Sequence, residues 1–296
     1  MIRSLGLSLA TLALAVPAAA QDASSQKDDI IVRGQRDKEV ETFVRSLTET
    51  RDGRQVARWN GRICPKVVGL WPERAAMITD RIAAVAKLID VSMQVPPKCE
   101  PNTIIAFTGQ ADLFTAKMID SVPTLITDVE YYGLPRRKQV ARYLAPRAVR
   151  WFSINATTMS DGQHAGAAGR NGAGLAIDAS PNSTPASRIT ARTRENTIAT
   201  LIVIDESKLG GIKWLQLADY LAMVTFAQPA IDADFTGSDS VMAIFAARDA
   251  GGAGPAGLTA QDRGFLTGLY RSAANLSSSQ QRGVIADAVR KTPKAP

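Results

Sequence analysis

A single histidine, His164, is the sharpest constraint on the chemistry open to this chain. A zinc site of the HExxH kind needs two imidazoles one helical turn apart, and a nucleophilic triad needs a histidine base beside its serine or cysteine. His164 lies in a Gly- and Ala-rich stretch with no second histidine to join it. Ser160, Ser183 and Ser207 lack the GxSxG context of a serine hydrolase. Acid–base work would then fall to carboxylates. Asp219 is the best placed, because it sits inside a strongly apolar helical segment where a carboxylate needs either a partner or a raised pKa. Its neighbours at i−3 and i+4 are Gln216 and Met223. The structural alternative is an Asp bonded to backbone amides or to an Arg from another element, and it carries more weight. Asp205 and Glu206 close an apolar strand, where adjacent side chains face opposite ways, so they read as a solvated strand end. Asp232, Asp234 and Asp239 form an oxygen-rich loop without EF-hand spacing. No metal ligand is assigned and no cofactor is expected.

Two cysteines, Cys64 and Cys99, lack CxxC spacing and a neighbouring histidine, so a disulfide is expected over a thiol nucleophile or a metal pair. Closing a loop of about 35 residues would stabilise the fold by roughly 3–4 kcal/mol. The N-terminus fits an oxidising destination. Arg3, the apolar run over 5–16 and the small residues Ala18, Ala19 and Ala20 read as a signal peptide over 1–20. The apolar run is too short for a membrane anchor, and no transmembrane span is expected in the mature chain. A periplasmic or extracellular location follows, with residues 21–28 a disordered lead-in.

A net charge of +7 and 45% hydrophobic residues describe a globular, basic chain. The basic residues concentrate at Arg136, Arg137, Lys138 and Arg142, continuing to Arg147 and Arg150, with Tyr131, Tyr132, Tyr143 and Trp151 among them. That stretch is a candidate patch for an anionic polymer, against the alternative of a solvated helix face. Nucleic acid is not expected as a partner, since no recognised binding motif is present; an envelope component is. The glycines at 166, 169, 172 and 174 lack the lysine and the strand-to-helix context of a phosphate loop.

These residues need a frame. Residues 29–36 read as a short strand and 37–48 as an amphipathic helix with Val40, Phe43, Val44 and Leu47 on one face. An apolar strand over 63–70 carries Cys64. A helix over 73–89 follows Pro72, striped by Ile78, Ile82, Val85 and Ile89, and a second strand runs over 103–108. This is a β-α-β order. Helices are expected over 111–120 and 136–144, strands over 149–157 and 197–204, and a long flexible loop over 160–185. The helix over 212–227 is apolar nearly all round and must be buried. Thr259 with Asp262, and Ser278 with Gln281, read as capping boxes for two C-terminal helices. The sum is one α+β domain over 29–290, a mixed sheet packed with helices and a helical C-terminal part, followed by a tail over 291–296.

The strand with Cys64, the Ile78 helix, the strand start Pro101-Asn102-Thr103-Ile104-Ile105, the helix Leu215-Gln216-Leu217-Ala218-Asp219-Tyr220 and the segment 240–245 occur in a familiar order. With the helix reading LTxxDxGFLxGLY over 258–270, they resemble a family of uncharacterised secreted alphaproteobacterial proteins with a degenerate zincin-like, metalloprotease-type layout, over roughly residues 29–290. The resemblance implies that the buried helix after the main strand stands where an active zincin carries HExxH. Here that helix offers Gln216, Asp219 and Tyr220. The expectation is therefore a non-catalytic envelope protein that acts by binding. The alternatives are a carboxylate hydrolase of envelope polymers or a polyanion-binding module.

Overall fold

The computed structural model describes residues 35–48, 50, 54–126, 137–159, 169–170, 176–177 and 191–293. Residues 1–28, where a signal peptide and lead-in are expected, together with Arg136, His164 and most of the loop over 160–185, lie outside them. The chain divides into a unit of residues 1–39 and a unit of residues 40–296. Residues 35–39 of the first unit are helical, which corrects the strand expected to reach Arg36. All that follows concerns the second unit.

Helical backbone continues to residue 46 (α1). The elements then run β1 (Pro65–Val68), α2 (Pro72–Leu88), β2 (Thr103–Thr108), α3 (Ala111–Ser121), α4 (Arg137–Leu144), β3 (Val149–Met159), β4 (Gly169–Arg170), β5 (Ala176–Ile177) and β6 (Thr193–Asp205). Four helices close the chain: α5 (Trp214–Ala227), α6 (Ile244–Asp249), α7 (Ala260–Arg271) and α8 (Ser278–Lys291). The class is α+β, as the pattern of apolar periods required. Among the described residues, no helix is long and apolar enough to cross a membrane.

The main sheet has the order β1-β2-β6-β3. β1, β2 and β6 are parallel, with α2 as the crossover between the first two, and β3 lies antiparallel to β6 at the edge. Alternation along these strands divides two cores. Val149, Trp151, Ile202 and Ile204 join α1, α2, α5, α7 and α8 in the larger one. Phe152 and Val203 face the other way, with Ala111 and Ile119 of α3. The β3–β6 register shifts at Ile154/Asn155, and such a bulge re-aims the side chains beyond it.

Cys64 and Cys99 form a disulfide, with Cα atoms 6.1 Å apart. It holds the entry to β1 against the turn that precedes β2. Asn102 reinforces the same corner by accepting from the Cys64 N–H at 2.8 Å.

Helix α5 is buried from Gln216 through Ala227 without interruption. A helix can be covered on all sides only if neighbours approach closely. The C-terminal pair shows how: a Cβ on Gly268 would stand 2.8 Å from the Cα of Ile285, and one on Gly264 would stand 2.9 Å from the Cα of Val289. The two glycines of LTxxDxGFLxGLY are thus the seat on which α8 rests against α7.

Candidate functional site

The site is built on the N-terminal half of α5. After β6, a short turn containing Gly211 at φ +79° redirects the chain into the helix. Gln216, at the third helical position, accepts from the Lys213 N–H at 3.0 Å and so satisfies a free end of the helix. Its amide nitrogen donates to the carbonyls of Ala253 at 2.9 Å and Pro255 at 2.7 Å. The Gln216 side chain is thus committed to tying α5 to the loop before α7.

Asp219 is fully buried. Arg81 of α2 forks onto it, Nε to Oδ1 and Nη2 to Oδ2, the latter at 2.9 Å. The Leu258 N–H donates to Oδ2 at 2.8 Å. Both structural partners foreseen for this residue, an arginine from another element and a backbone amide, are present together. The space is filled as well, since a Cβ on Gly257 would collide with Oδ2.

Tyr220 lies one turn beyond Gln216. Its ring packs edge-on against Phe245 (centroids 5.1 Å apart) and Trp151 (6.5 Å). It lines a cleft of about 610 Å³ together with Arg147, Trp151, Phe235, Phe245 and Arg248. That volume is within the range of small-ligand pockets. Burial pushes the Tyr220 phenol well above its usual value, so it stays a neutral hydroxyl. Arg147 is half-buried and donates to the carbonyls of Arg142 at 2.8 Å and Ala145 at 3.4 Å. Burial is the chief influence that lowers its pKa, with the charge of Arg150 adding to it.

The basic run is divided between α4 and the segment that follows it, with Lys138 and Arg142 one turn apart on the helix. Ala145 and Pro146 end α4, and the chain passes directly into β3, so helical spacing does not extend to Arg147 or Arg150. Arg137 and Lys138 are exposed. Arg142 instead forks onto Asp232, with Nε 2.8 Å from Oδ2. Arg150 is fully buried beneath α4, donating to Asp112 and to the Tyr143 carbonyl at 3.2 Å. Of the four residues of the expected patch, Arg137, Lys138 and Arg142 lie on α4 and Arg136 lies outside the described residues.

The carboxylate loop is likewise dispersed. Asp232 goes to Arg142, while Asp234 folds back to accept from the Thr236 N–H at 2.8 Å. Asp205 accepts from both the N–H and the hydroxyl of Ser207, and pairs with Lys208 at 2.7 Å. Ser207 is therefore held by a carboxylate rather than offered as a nucleophile. Among the described residues, no three His, Cys, Asp or Glu side chains converge as a metal site would need.

Beside the cleft, sharing Trp151 and Ile231 with it, is a smaller polar chamber of about 80 Å³. Ser153 Oγ, Asn155 Oδ1 and Gln228 Oε1 are buried in its wall without hydrogen-bond partners among the described residues. The chamber's size suits a few water molecules rather than an organic ligand.

The cleft between Arg147 and Tyr220 was not foreseen. Its members are separated by more than 70 positions in the chain, and its signal, an arginine just after a helix-ending proline, looked like one more cation in a basic run. The fold and site define an α+β protein with an antiparallel edge strand and a buried helix framing an aromatic, basic cleft. Comparison with protein-family models, curated proteins and solved structures returns no match.

Proposed function

We propose that this chain is an exported, non-catalytic envelope protein that keeps a zincin-like frame and acts by binding through the cleft beside α5. The observation that carries this reading is the state of the two positions, one turn apart, where a zincin would place its histidines. Gln216 spends its amide on three hydrogen bonds, and Tyr220 is a neutral phenol among aromatic rings. Leu217, where the HExxH pattern would have its glutamate, is core. These residues do not fit a zinc ion, which takes imidazole, thiolate or carboxylate ligands. Asp219 does not substitute for them, because Arg81 already occupies its carboxylate. The disulfide and the absence of a membrane-crossing helix among the described residues agree with export.

The test is turnover. The full chain, exported so that the disulfide forms, is incubated with peptidoglycan with and without added zinc, and soluble fragments are measured. No release above the protein-free blank is expected. Release that is lost in Asp219→Ala, with the circular dichroism of that variant unchanged, would overturn the reading in favour of a carboxylate hydrolase.

A further inference from the structure

The cations around the cleft are not equivalent. Lys208 pairs with Asp205 at 2.7 Å and Asp112 at 3.4 Å. Arg248 pairs with Asp249 at 2.7 Å, donates to the Lys208 carbonyl at 2.6 Å and lies over the Phe245 ring at 5.3 Å. Among the described residues, Arg147 has only carbonyl acceptors. Asp232 is close enough for its charge to be felt at Arg147, but Arg142 already forks onto it. Asp234, on the exposed rim, accepts from Thr236. A half-buried guanidinium with two carbonyls for partners keeps unused donors and an uncompensated charge, which is a costly arrangement for a protein interior.

A second donor stands with it. The Tyr220 hydroxyl has no hydrogen-bond partner among the described residues, and its side chain lines the same cleft as Arg147, whose charge reaches it. Its ring is clamped between Trp151 and Phe245, so little side-chain freedom is left to lose on binding. A fork of N–H groups beside a fixed hydroxyl matches the oxygens of a carboxylate or phosphate, and a charge-assisted hydrogen bond to either is stronger than a neutral one.

We propose that the cleft is an anion subsite, in which Arg147 and Tyr220 receive one oxyanion while the ligand's apolar body rests against Trp151, Phe235 and Phe245. This rests on reading the cleft as a binding surface and names its ligand class: a small oxyanion on an apolar or aromatic body. The charge on Arg147 attracts the ligand, the planar fork orients it, and the hydroxyl adds a donor that stays protonated. The aromatic walls supply the apolar contact that a bare anion would lack.

The experiment is a calorimetric titration of the full chain with N-acetylphenylalanine and with phenyl phosphate, using N-acetylphenylalaninamide as the uncharged control. Saturable binding of at least one anion is expected, weakened about tenfold in the amide and in Arg147→Met. Tyr220→Phe is expected to weaken it by about threefold to tenfold. Preference between the two probes distinguishes a carboxylate source from a phosphate source, and either preference supports the subsite. Arg147→Lys keeps the charge without the fork, and retention of part of the affinity there separates loss of the subsite from loss of the fold. No saturable binding of either anion into the millimolar range, or unchanged affinity in a folded Arg147→Met, would overturn the subsite. Arg147-dependent binding by a chain that also holds stoichiometric zinc would support the subsite and overturn the non-catalytic reading, so the two fail separately.

Discussion

Arg81 on α2 and Asp219 on α5 are joined by a two-bonded fork across the larger core, with Nη2 2.9 Å from Oδ2. The carboxylate is fully buried, whereas the arginine is about one-third exposed. That asymmetry ties the residue first proposed for catalysis to the integrity of the fold. A carboxylate stripped of its guanidinium would remain buried with one backbone donor, while an arginine stripped of its carboxylate could reach water. Arg81→Ala is therefore expected to cost more than Asp219→Asn, on the order of 3 kcal/mol against about half of that. Urea denaturation of the two variants measures the difference. Equal and small losses would show that the pair is not a structural link.

The seat between α7 and α8 predicts a cost for a single methyl group. In Gly268→Ala the new Cβ would meet Ile285 Cα at 2.8 Å and Ala288 Cβ at 2.8 Å, and backbone cannot yield as a flexible side chain can. A loss of about 1–3 kcal/mol is expected. Gly210→Ala, where nothing lies within 4 Å, is the matched control and should be close to neutral. Thermal unfolding of both variants is the measurement.

The disulfide predicts a larger effect. Cys64→Ser with Cys99→Ser opens a loop whose ends are 35 positions apart. A loss of roughly 3–4 kcal/mol follows from the chain-entropy argument. Because neither cysteine lines the cleft, binding at Arg147 should survive in the variant at temperatures where it remains folded.

Acid should weaken the fold through two named carboxylates. The hydrogen bond from Arg142 holds the Asp232 carboxyl below its ordinary value. At Asp205, burial pushes the carboxyl up, but the bonds from Lys208 and Ser207 outweigh it and the net shift is downward. A depressed folded pKa means stabilisation present above the unfolded value, near pH 4, and lost as pH falls through the folded value. The urea midpoint should thus drop below about pH 4, and less steeply in Asp205→Asn. An identical acid limb in that variant would contradict the assignment.

The elements that were legible in the sequence are those where apolar period and punctuation agree. β2 is bounded by Pro101-Asn102 and Gly109 and falls at 103–108 as expected, and the isoleucine stripe of α2 is buried at Ile78 and Ile82. The last helix shows what pattern alone leaves open. Ser277 with Gln280 and Ser278 with Gln281 both satisfy the capping-box spacing, and the second was expected. The structure uses the first, because Gln281 is buried and accepts from the Val56 N–H at 2.7 Å. A partner 225 positions away decided a local choice. The same holds at the site. Asp219 was visible as an anomaly in an apolar helix, but Arg81, 138 positions away, was not. The basic run concealed different fates for its arginines, because Asp232 and Asp112, which take up Arg142 and Arg150, lie 90 and 38 positions away.

Under the proposed reading, the α5 positions Gln216 and Tyr220, where a zincin would place its histidines, do not bind zinc. The most direct measurement is elemental zinc analysis of the untagged, exported chain after equilibration with zinc and removal of the free ion. Well below one zinc per chain is expected, unchanged in Gln216→Ala and Tyr220→Phe. One zinc per chain, lost in either variant, would contradict that reading.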